Sequence, residues 1–98
     1  MFLHLGKNVI IHLEDVIAII DLGSASDSED TGNFIRTVRE EGFVRSISNE
    51  EPKSMVITEK ASGRNKKNKE GSCIVYFSPI SSMTLSRRAG FMNSIPDL

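Results

Sequence analysis

The sequence predicts an α+β fold: a small, mainly antiparallel β-sheet domain with one central helix and a short C-terminal helix. Three observations support this prediction. Short apolar runs rich in Ile and Val are bounded by polar turns, as expected of strands. Residues 31–41 place their apolar side chains at helical spacing. Residues 81–89 follow Ser78-Pro79, which ends a sheet, and stop at Gly90.

The most apolar stretch, Val9–Leu22, is predicted to form two strands joined by a tight acidic turn at Glu14-Asp15. Val9–Leu13 alternates in part between apolar and polar residues. Val16–Leu22 begins with a continuous β-branched run, which is typical of a buried strand. We therefore expect these two strands to form the centre of the sheet.

The other strands are predicted on either side of this stretch. Phe2–Leu5 alternates weakly and should pair with Val9–Leu13, because Gly6-Lys7-Asn8 between them favours a turn. Polar turns separate three further predicted strands, Phe43–Ile47, Lys53–Thr58 and Ser72–Phe77. The last two should form a hairpin, with residues 61–71 as the exposed connection.

Two helices are predicted from apolar spacing and end signals. The central helix is placed at about Thr31 to Glu41, with Gly42 in the left-handed position that ends many helices. Residues 23–31 before it are small and acidic, and they are predicted to be a polar loop that supplies the helix cap. The short C-terminal helix should start after Ser81 or Ser82 and stop at Gly90.

The composition indicates one soluble domain. The chain has 98 residues, of which 39% are hydrophobic and 26% charged. We place the domain at residues 1–90, with residues 91–98 as a tail. The longest apolar run is five residues, and the N-terminus does not look like a secretory signal, so no membrane association is expected. The lone Cys73 cannot form an internal disulfide, which favours a cytoplasmic location.

The formal net charge of −1 conceals an uneven distribution. Residues 1–59 contain five Lys/Arg and eleven Asp/Glu, whereas residues 60–71 contain five Lys/Arg and one Glu. The body is therefore acidic, and the positive charge is concentrated in one segment. Such a body disfavours nonspecific nucleic-acid binding over the whole surface but permits binding at one basic edge.

No group of residues in the sequence predicts catalysis or a cofactor. His4 and His12 would lie on separate strands without a third ligand, so no metal site is expected. Cys73 has no positioned base nearby in the sequence. Adjacent carboxylates such as Glu40 and Glu41 do not converge on a substrate. We therefore predict a protein that is not an enzyme.

Residues 61–71, called the basic segment below, are the one electrostatic signal in the sequence. Two interpretations of this segment stay open. It can be a solvated hairpin tip or a loop that contacts phosphates. The absence of interleaved aromatic residues makes a single-strand stacking platform less favourable than contact with a duplex backbone. Arg87 and Arg88 form a second basic spot, which could equally contact an acidic partner surface.

Several segments together resemble the extracellular matrix regulator family RemA/RemB of Gram-positive bacteria, and RemB most closely. These segments are FLHLG, EDVIAIIDL, EEGFV, PKSMVIT and IVYFSPISSMTLSRR. The resemblance covers residues 1–60 and 72–90, and it spans a whole domain rather than one short motif. It implies a small cytoplasmic transcriptional regulator of biofilm-matrix genes, with a LytTR-like fold. It also implies that subunits assemble into a closed ring whose basic surface binds double-stranded DNA.

The sequence departs from the RemA pattern at three positions. RemA carries Arg where this chain has Asp15, and paired Arg where it has Glu50 and Glu51. Lys53 and Arg88 match basic RemA positions, and residues 61–71 are an insertion relative to RemA. Replacing three cations by three anions reverses the field towards phosphate. Most of the positive charge now lies in the insertion.

Two hypotheses follow. In the first, the protein is a ring-forming, DNA-associated regulator of RemB type. Its predicted phosphate contacts are Lys53, Arg64, Lys66, Lys67, Lys69 and Arg88. In the second, the protein is a scaffold or partner-binding member of the same family that does not bind DNA itself. The acidic residues Asp15, Glu50 and Glu51 would then meet a basic partner, such as a RemA-type paralogue.

Overall fold

A computed structural model describes residues 1–25, 28–60 and 73–90 of the chain. It confirms the α+β class with mainly antiparallel strands. The strands are β1 Phe2–Gly6, β2 Val9–His12, β3 Val16–Asp21, β4 Val44–Ser46, β5 Ser54–Glu59 and β6 Cys73–Ser78. The helices are α1 Leu22–Ala25, α2 Glu29–Glu40 and α3 Ser82–Ala89, and a 3₁₀ turn spans Leu13–Asp15.

The strands of the described residues form two sheets. Strands β1 and β2 make an antiparallel hairpin, as predicted, with Leu3 opposite Ile11. The other four strands form a sheet in the order β3-β5-β6-β4. Strand β5 is antiparallel to both of its neighbours, which confirms the predicted β5–β6 hairpin. Strand β4 runs parallel to β6 at the far edge.

The prediction that Val9–Leu13 and Val16–Leu22 form the centre of one sheet is wrong. The 3₁₀ turn redirects the chain, so that β2 belongs to the hairpin and β3 is an edge strand. The centre is the β5–β6 pair, where Met55, Val56 and Val75 are fully buried. Both faces of this pair are covered, and strands covered on both faces need apolar residues at successive positions.

One face of the four-stranded sheet packs against the β1–β2 hairpin and α3, and the other packs against α2. The first core cluster contains Leu3, Leu5, Ile11, Ile47, Val56 and Leu85. The second contains Val38, Met55, Val75 and Phe77. Successive residues of β5 alternate between the clusters, as the two-residue period of a strand requires. The domain therefore has three layers, with the sheet in the middle.

Helix α2 ends as predicted, but it starts two residues earlier than predicted. The Ser28 hydroxyl accepts a hydrogen bond from the Thr31 amide, and Glu29 lies in the first turn, where a carboxylate favours the helix dipole. Gly42, with φ of 80°, follows the C-terminal end. The predicted polar loop at residues 23–31 is wrong in part, because α1 forms one helical turn directly after β3.

Helix α3 has the predicted start and end. The Ser81 hydroxyl accepts a hydrogen bond from the Thr84 amide, and Gly90 adopts the left-handed conformation with φ of 82°. Leu85 is fully buried in the first core cluster. The predicted tail at residues 91–98 lies outside the described residues.

Candidate nucleic-acid interface

The basic segment is attached to the open end of the β5–β6 pair. Glu59, the last residue of β5, lies opposite Cys73, the first residue of β6. The chain therefore leaves and re-enters the sheet at one place, with exposed Lys60 as the last described residue before the segment. Four of the predicted phosphate contacts lie outside the described residues: Arg64, Lys66, Lys67 and Lys69.

Lys53 lies at the opposite end of β5. Its amide donates to the Ser78 carbonyl at 2.8 Å, and its carbonyl accepts from the Leu22 amide at 3.1 Å, so its backbone is fixed. The side chain is exposed. At about 3.3 Å per residue, the seven steps from Lys53 to Lys60 span roughly 20 Å. The structure does not bring Lys53 next to the point where the basic segment is attached.

Arg88 lies in the last turn of α3 beside Arg87, and both side chains are exposed. Cations at a helix C-terminus are stabilising without any ligand, because they complement the negative end of the helix dipole. The start of α3 lies close to β5, since the Ser54 hydroxyl donates to the Ile80 carbonyl at 2.8 Å. Arg88 is about 9 Å further along the helix axis than Ser82, at 1.5 Å per residue.

Two cations that the sequence did not single out have defined surroundings. The Arg39 guanidinium lies 4.8 Å from the centre of the Phe77 ring, a cation–π contact that holds α2 against β6. The Arg45 Nη1 group donates to the Val44 carbonyl at 3.2 Å on the edge strand β4. The Phe77 contact joins residues far apart in sequence, so no local pattern could have revealed it.

The acidic positions do not form one surface. Asp15 ends the 3₁₀ turn just before β3, whereas Glu50 and Glu51 precede β5. The strand register places Asp21, at the other end of β3, opposite Ser54. Asp15 is therefore separated from Glu50 and Glu51 by the whole length of β3.

A cleft of about 210 Å³ opens beside the attachment point of the basic segment. It lies between the β1–β2 hairpin and the adjoining face of the sheet. Its lining residues are Ile10, Ile11, His12, Asp15, Thr58, Lys60, Ile74 and Tyr76. The lining mixes both charges with apolar side chains, and the cleft is smaller than the cavities that usually hold drug-sized ligands.

Cys73 has the chemistry of a structural residue. Partial burial raises the pKa of its thiol, and the negative charge of Glu59 raises it further. Both effects disfavour the thiolate, which is the reactive form. Across residues 1–25, 28–60 and 73–90, no three His, Cys, Asp or Glu side chains lie close enough to hold a metal ion.

The two histidines are engaged in separate local contacts. The His4 Nε2 atom lies 2.6 Å from the Lys7 carbonyl oxygen, within the β1–β2 turn. The His12 ring lies 4.9 Å from the Phe2 ring, measured between centroids. Within the part of the chain that the structure describes, no helix is long and apolar enough to cross a membrane.

The described residues form a small, three-layered α+β domain. Residues 2–89 match the RemA-like family, described as "Extracellular matrix regulatory protein A-like". The chain therefore belongs to the RemA-like family of extracellular matrix regulatory proteins.

One relative is the "Extracellular matrix regulatory protein B" of Bacillus subtilis strain 168, which is 32% identical to this chain over 95 residues. The alignment covers 97% of this chain and 98% of that protein. The predicted family is thus confirmed. The segments on which the resemblance rested now have structural roles: FLHLG is β1, PKSMVIT includes all of β5 except its last residue, Glu59, and IVYFS lies in β6.

Proposed function

We propose that the protein is a cytoplasmic, noncatalytic transcriptional regulator of extracellular matrix genes that assembles into a ring and binds double-stranded DNA. The observation that carries this proposal is family membership over almost the whole chain, together with similarity to a protein named as a matrix regulator. The family match over residues 2–89 includes every residue of both core clusters, so the resemblance concerns the complete fold and not a single motif.

DNA binding is proposed to be carried by charge rather than by base recognition. Arg64, Lys66, Lys67 and Lys69 provide the main phosphate contacts, and Lys53 and Arg88 add to them from other elements. Lys53 and Arg88 are exposed and lie on hydrogen-bonded backbone, which suits phosphate contacts that orient the protein on the duplex. The basic segment is connected to the paired ends of β5 and β6, and this pairing defines the point on the domain from which the segment extends.

The alternative function is a scaffold that assembles without DNA and binds a basic partner, such as a RemA-type paralogue. The acidic residues Asp15, Glu50 and Glu51 favour this alternative, because each stands where RemA is basic. Since these residues lie at opposite ends of β3, such a partner would have to bridge the full length of that strand.

Fluorescence anisotropy with labelled duplex DNA at low salt distinguishes the two functions. We expect replacement of Arg64, Lys66, Lys67 and Lys69 by Ser to abolish binding without changing the oligomer. A matched variant exchanges Arg for Lys and Lys for Arg at the same four positions. It preserves the charge and should bind like the parent, because phosphate contacts depend mainly on charge.

Unchanged affinity in the Ser variant would show that the basic segment is not the DNA site. If the parent binds no duplex DNA but co-purifies with a basic family member, the scaffold function is correct instead.

A further inference from the structure

The four-stranded sheet has two edges with different properties. Strand β3 forms one edge with six residues, Val16–Asp21, and strand β4 forms the other with three residues, Val44–Ser46. An edge strand presents backbone N–H and C=O groups that can pair with a further strand. On β3 this edge also carries Ile17, whose side chain is 58% exposed at an irregularity in the strand register.

The β4 edge carries positive charge. The Phe43 carbonyl accepts from the Val75 amide, and the Ile47 amide donates to the Phe77 carbonyl, so these alternate residues bond towards β6. The Val44 carbonyl consequently points away from β6, and the Arg45 guanidinium binds it at 3.2 Å. This is an exposed hydrogen bond between adjacent residues. The guanidinium can exchange it for a carboxylate brought by another subunit.

The β3 edge is flanked by negative charge at both ends. Glu14 and Asp15 precede the strand, and Asp21 ends it. Antiparallel pairing of β3 with β3 of a second copy would bring the acidic start of each strand beside the acidic end of the other. Like charges placed opposite each other destabilise strand pairing. Pairing with β4 instead places the Arg45 guanidinium beside the carboxylates at one end of β3.

We propose that the β3 edge of one subunit pairs with the β4 edge of the next, with Ile17 buried in the contact and Arg45 facing the carboxylates at one end of β3. This inference rests on the proposed function, because it names the surfaces that build the assembly. The two strands lie at opposite edges of one sheet, so the contact is head-to-tail and every subunit offers both halves. A head-to-tail contact closes into a ring when the rotation between successive subunits brings the last subunit against the first, and it builds an open filament when the rotation does not.

The β3 half of the contact is tested by Ile17→Lys, with Ile10→Lys as its control. Ile10 lies on β2 at the cleft beside the hairpin and is also 58% exposed, so the two substitutions should affect folding equally little. Size-exclusion chromatography with light scattering should show the Ile17→Lys protein at the protomer mass of 10.8 kDa. The Ile10→Lys protein should retain the parent mass. Thermal unfolding followed by circular dichroism checks that both variants are folded.

The head-to-tail geometry is tested by mixing two blocked proteins. The Arg45→Glu protein has a blocked β4 edge and an intact β3 edge, and the Ile17→Lys protein has the reverse. Each alone should be monomeric, whereas an equimolar mixture should form a heterodimer that grows no further. A dimeric Arg45→Glu protein would show that β3 pairs with β3, and the proposed contact would be wrong.

The parent protein separates failure of the contact from failure of the assembly. If the Ile17→Lys protein keeps the parent's oligomeric mass, the strand assignment is wrong while the ring remains. If the parent itself is monomeric at all concentrations, both the ring and this contact are excluded.

Discussion

The two ends of the β5–β6 pair differ in burial and in charge. At one end, Ser54 lies opposite Ser78, and both residues are fully buried. At the other end, Glu59 lies opposite Cys73, and the basic segment leaves the sheet between exposed Lys60 and Cys73. Hydrogen bonds at the Ser54–Ser78 end, called the closed end below, hold the layers together. At the open end, exposed Glu59 and Lys60 precede the segment to which the DNA contacts are assigned in the proposed function.

The closed end depends on a short chain of hydroxyl groups. The Ser78 hydroxyl donates to the Leu5 carbonyl at 2.7 Å and accepts from the Ile80 amide at 3.0 Å. The Ser54 hydroxyl donates to the Ile80 carbonyl at 2.8 Å. These bonds connect the β1–β2 hairpin, the central strands and the segment leading into α3. The Ser78–Leu5 and Ser54–Ile80 bonds join residues that are far apart in the sequence.

The largest predicted effect is that of Ser78→Ala. The buried Leu5 carbonyl and the partly buried Ile80 amide would each lose a partner, so we expect the free energy of unfolding to fall by about 3 kcal/mol. Urea unfolding at pH 7 measures this change. Ser46→Ala is the control, because Ser46 is exposed on β4 and its loss should change stability by less than about 0.5 kcal/mol. Equal stabilities of the two variants would show that the hydroxyl chain does not hold the closed end.

Gly6→Ala should have the next largest effect. Gly6 has φ of 122°, and an added Cβ would lie 3.4 Å from both Ile47 Cγ2 and Pro79 Cδ. We expect a loss of about 1–3 kcal/mol, because residues other than Gly rarely adopt this conformation.

Gly32→Ala is a control for Gly6→Ala, because we expect it to change the free energy of unfolding in the opposite direction. An added Cβ at this position in α2 meets nothing within 4 Å, so the substitution should stabilise the protein by about 0.5–1 kcal/mol. Thermal and urea unfolding of both variants compares them. A stabilised Gly6→Ala protein would mean that the turn after β1 is not constrained as described.

The smallest effect is expected at the open end, from Cys73. The pKa of its thiol is higher in the folded protein than its ordinary value of 9.0, so the folded state binds the proton more tightly than the unfolded chain does. The free energy of unfolding should therefore fall slightly as the pH rises above 9.0, because the unfolded chain releases the Cys73 proton at a lower pH than the folded protein does. Cys73→Ser should remove this slight fall. Denaturant unfolding between pH 7 and 10 measures it, and identical pH profiles for parent and variant would contradict the assigned burial of the thiol.

The sequence predicted those parts of the fold that depend on neighbouring residues. The β1–β2 hairpin follows from the turn at Gly6, and the ends of both longer helices follow from Gly42 and Gly90. The position of β3 could not be predicted in this way. Its apolar run looks buried, yet its place at the edge is set by pairing with β5, more than thirty residues later.

The candidate site was predictable in composition but not in geometry. The excess of Lys and Arg in residues 60–71 is visible in the sequence alone. By contrast, the separation of Asp15 from Glu50 and Glu51 depends on the register of β3 with β5. The link from Ser78 to Leu5 spans 73 residues of sequence, and no local pattern encodes it.

The salt dependence of duplex binding tests the central claim most directly. Each phosphate contact contributes about −0.9 to the slope of log K against log salt for B-form DNA. We predict a parent slope that corresponds to a few contacts. When Arg64, Lys66, Lys67 and Lys69 are replaced by Ser, we predict no measurable duplex binding even at the lowest salt concentration, and therefore no slope to fit. A parent slope that survives unchanged in that variant would contradict the account, because the charge that meets the DNA would then lie elsewhere on the domain.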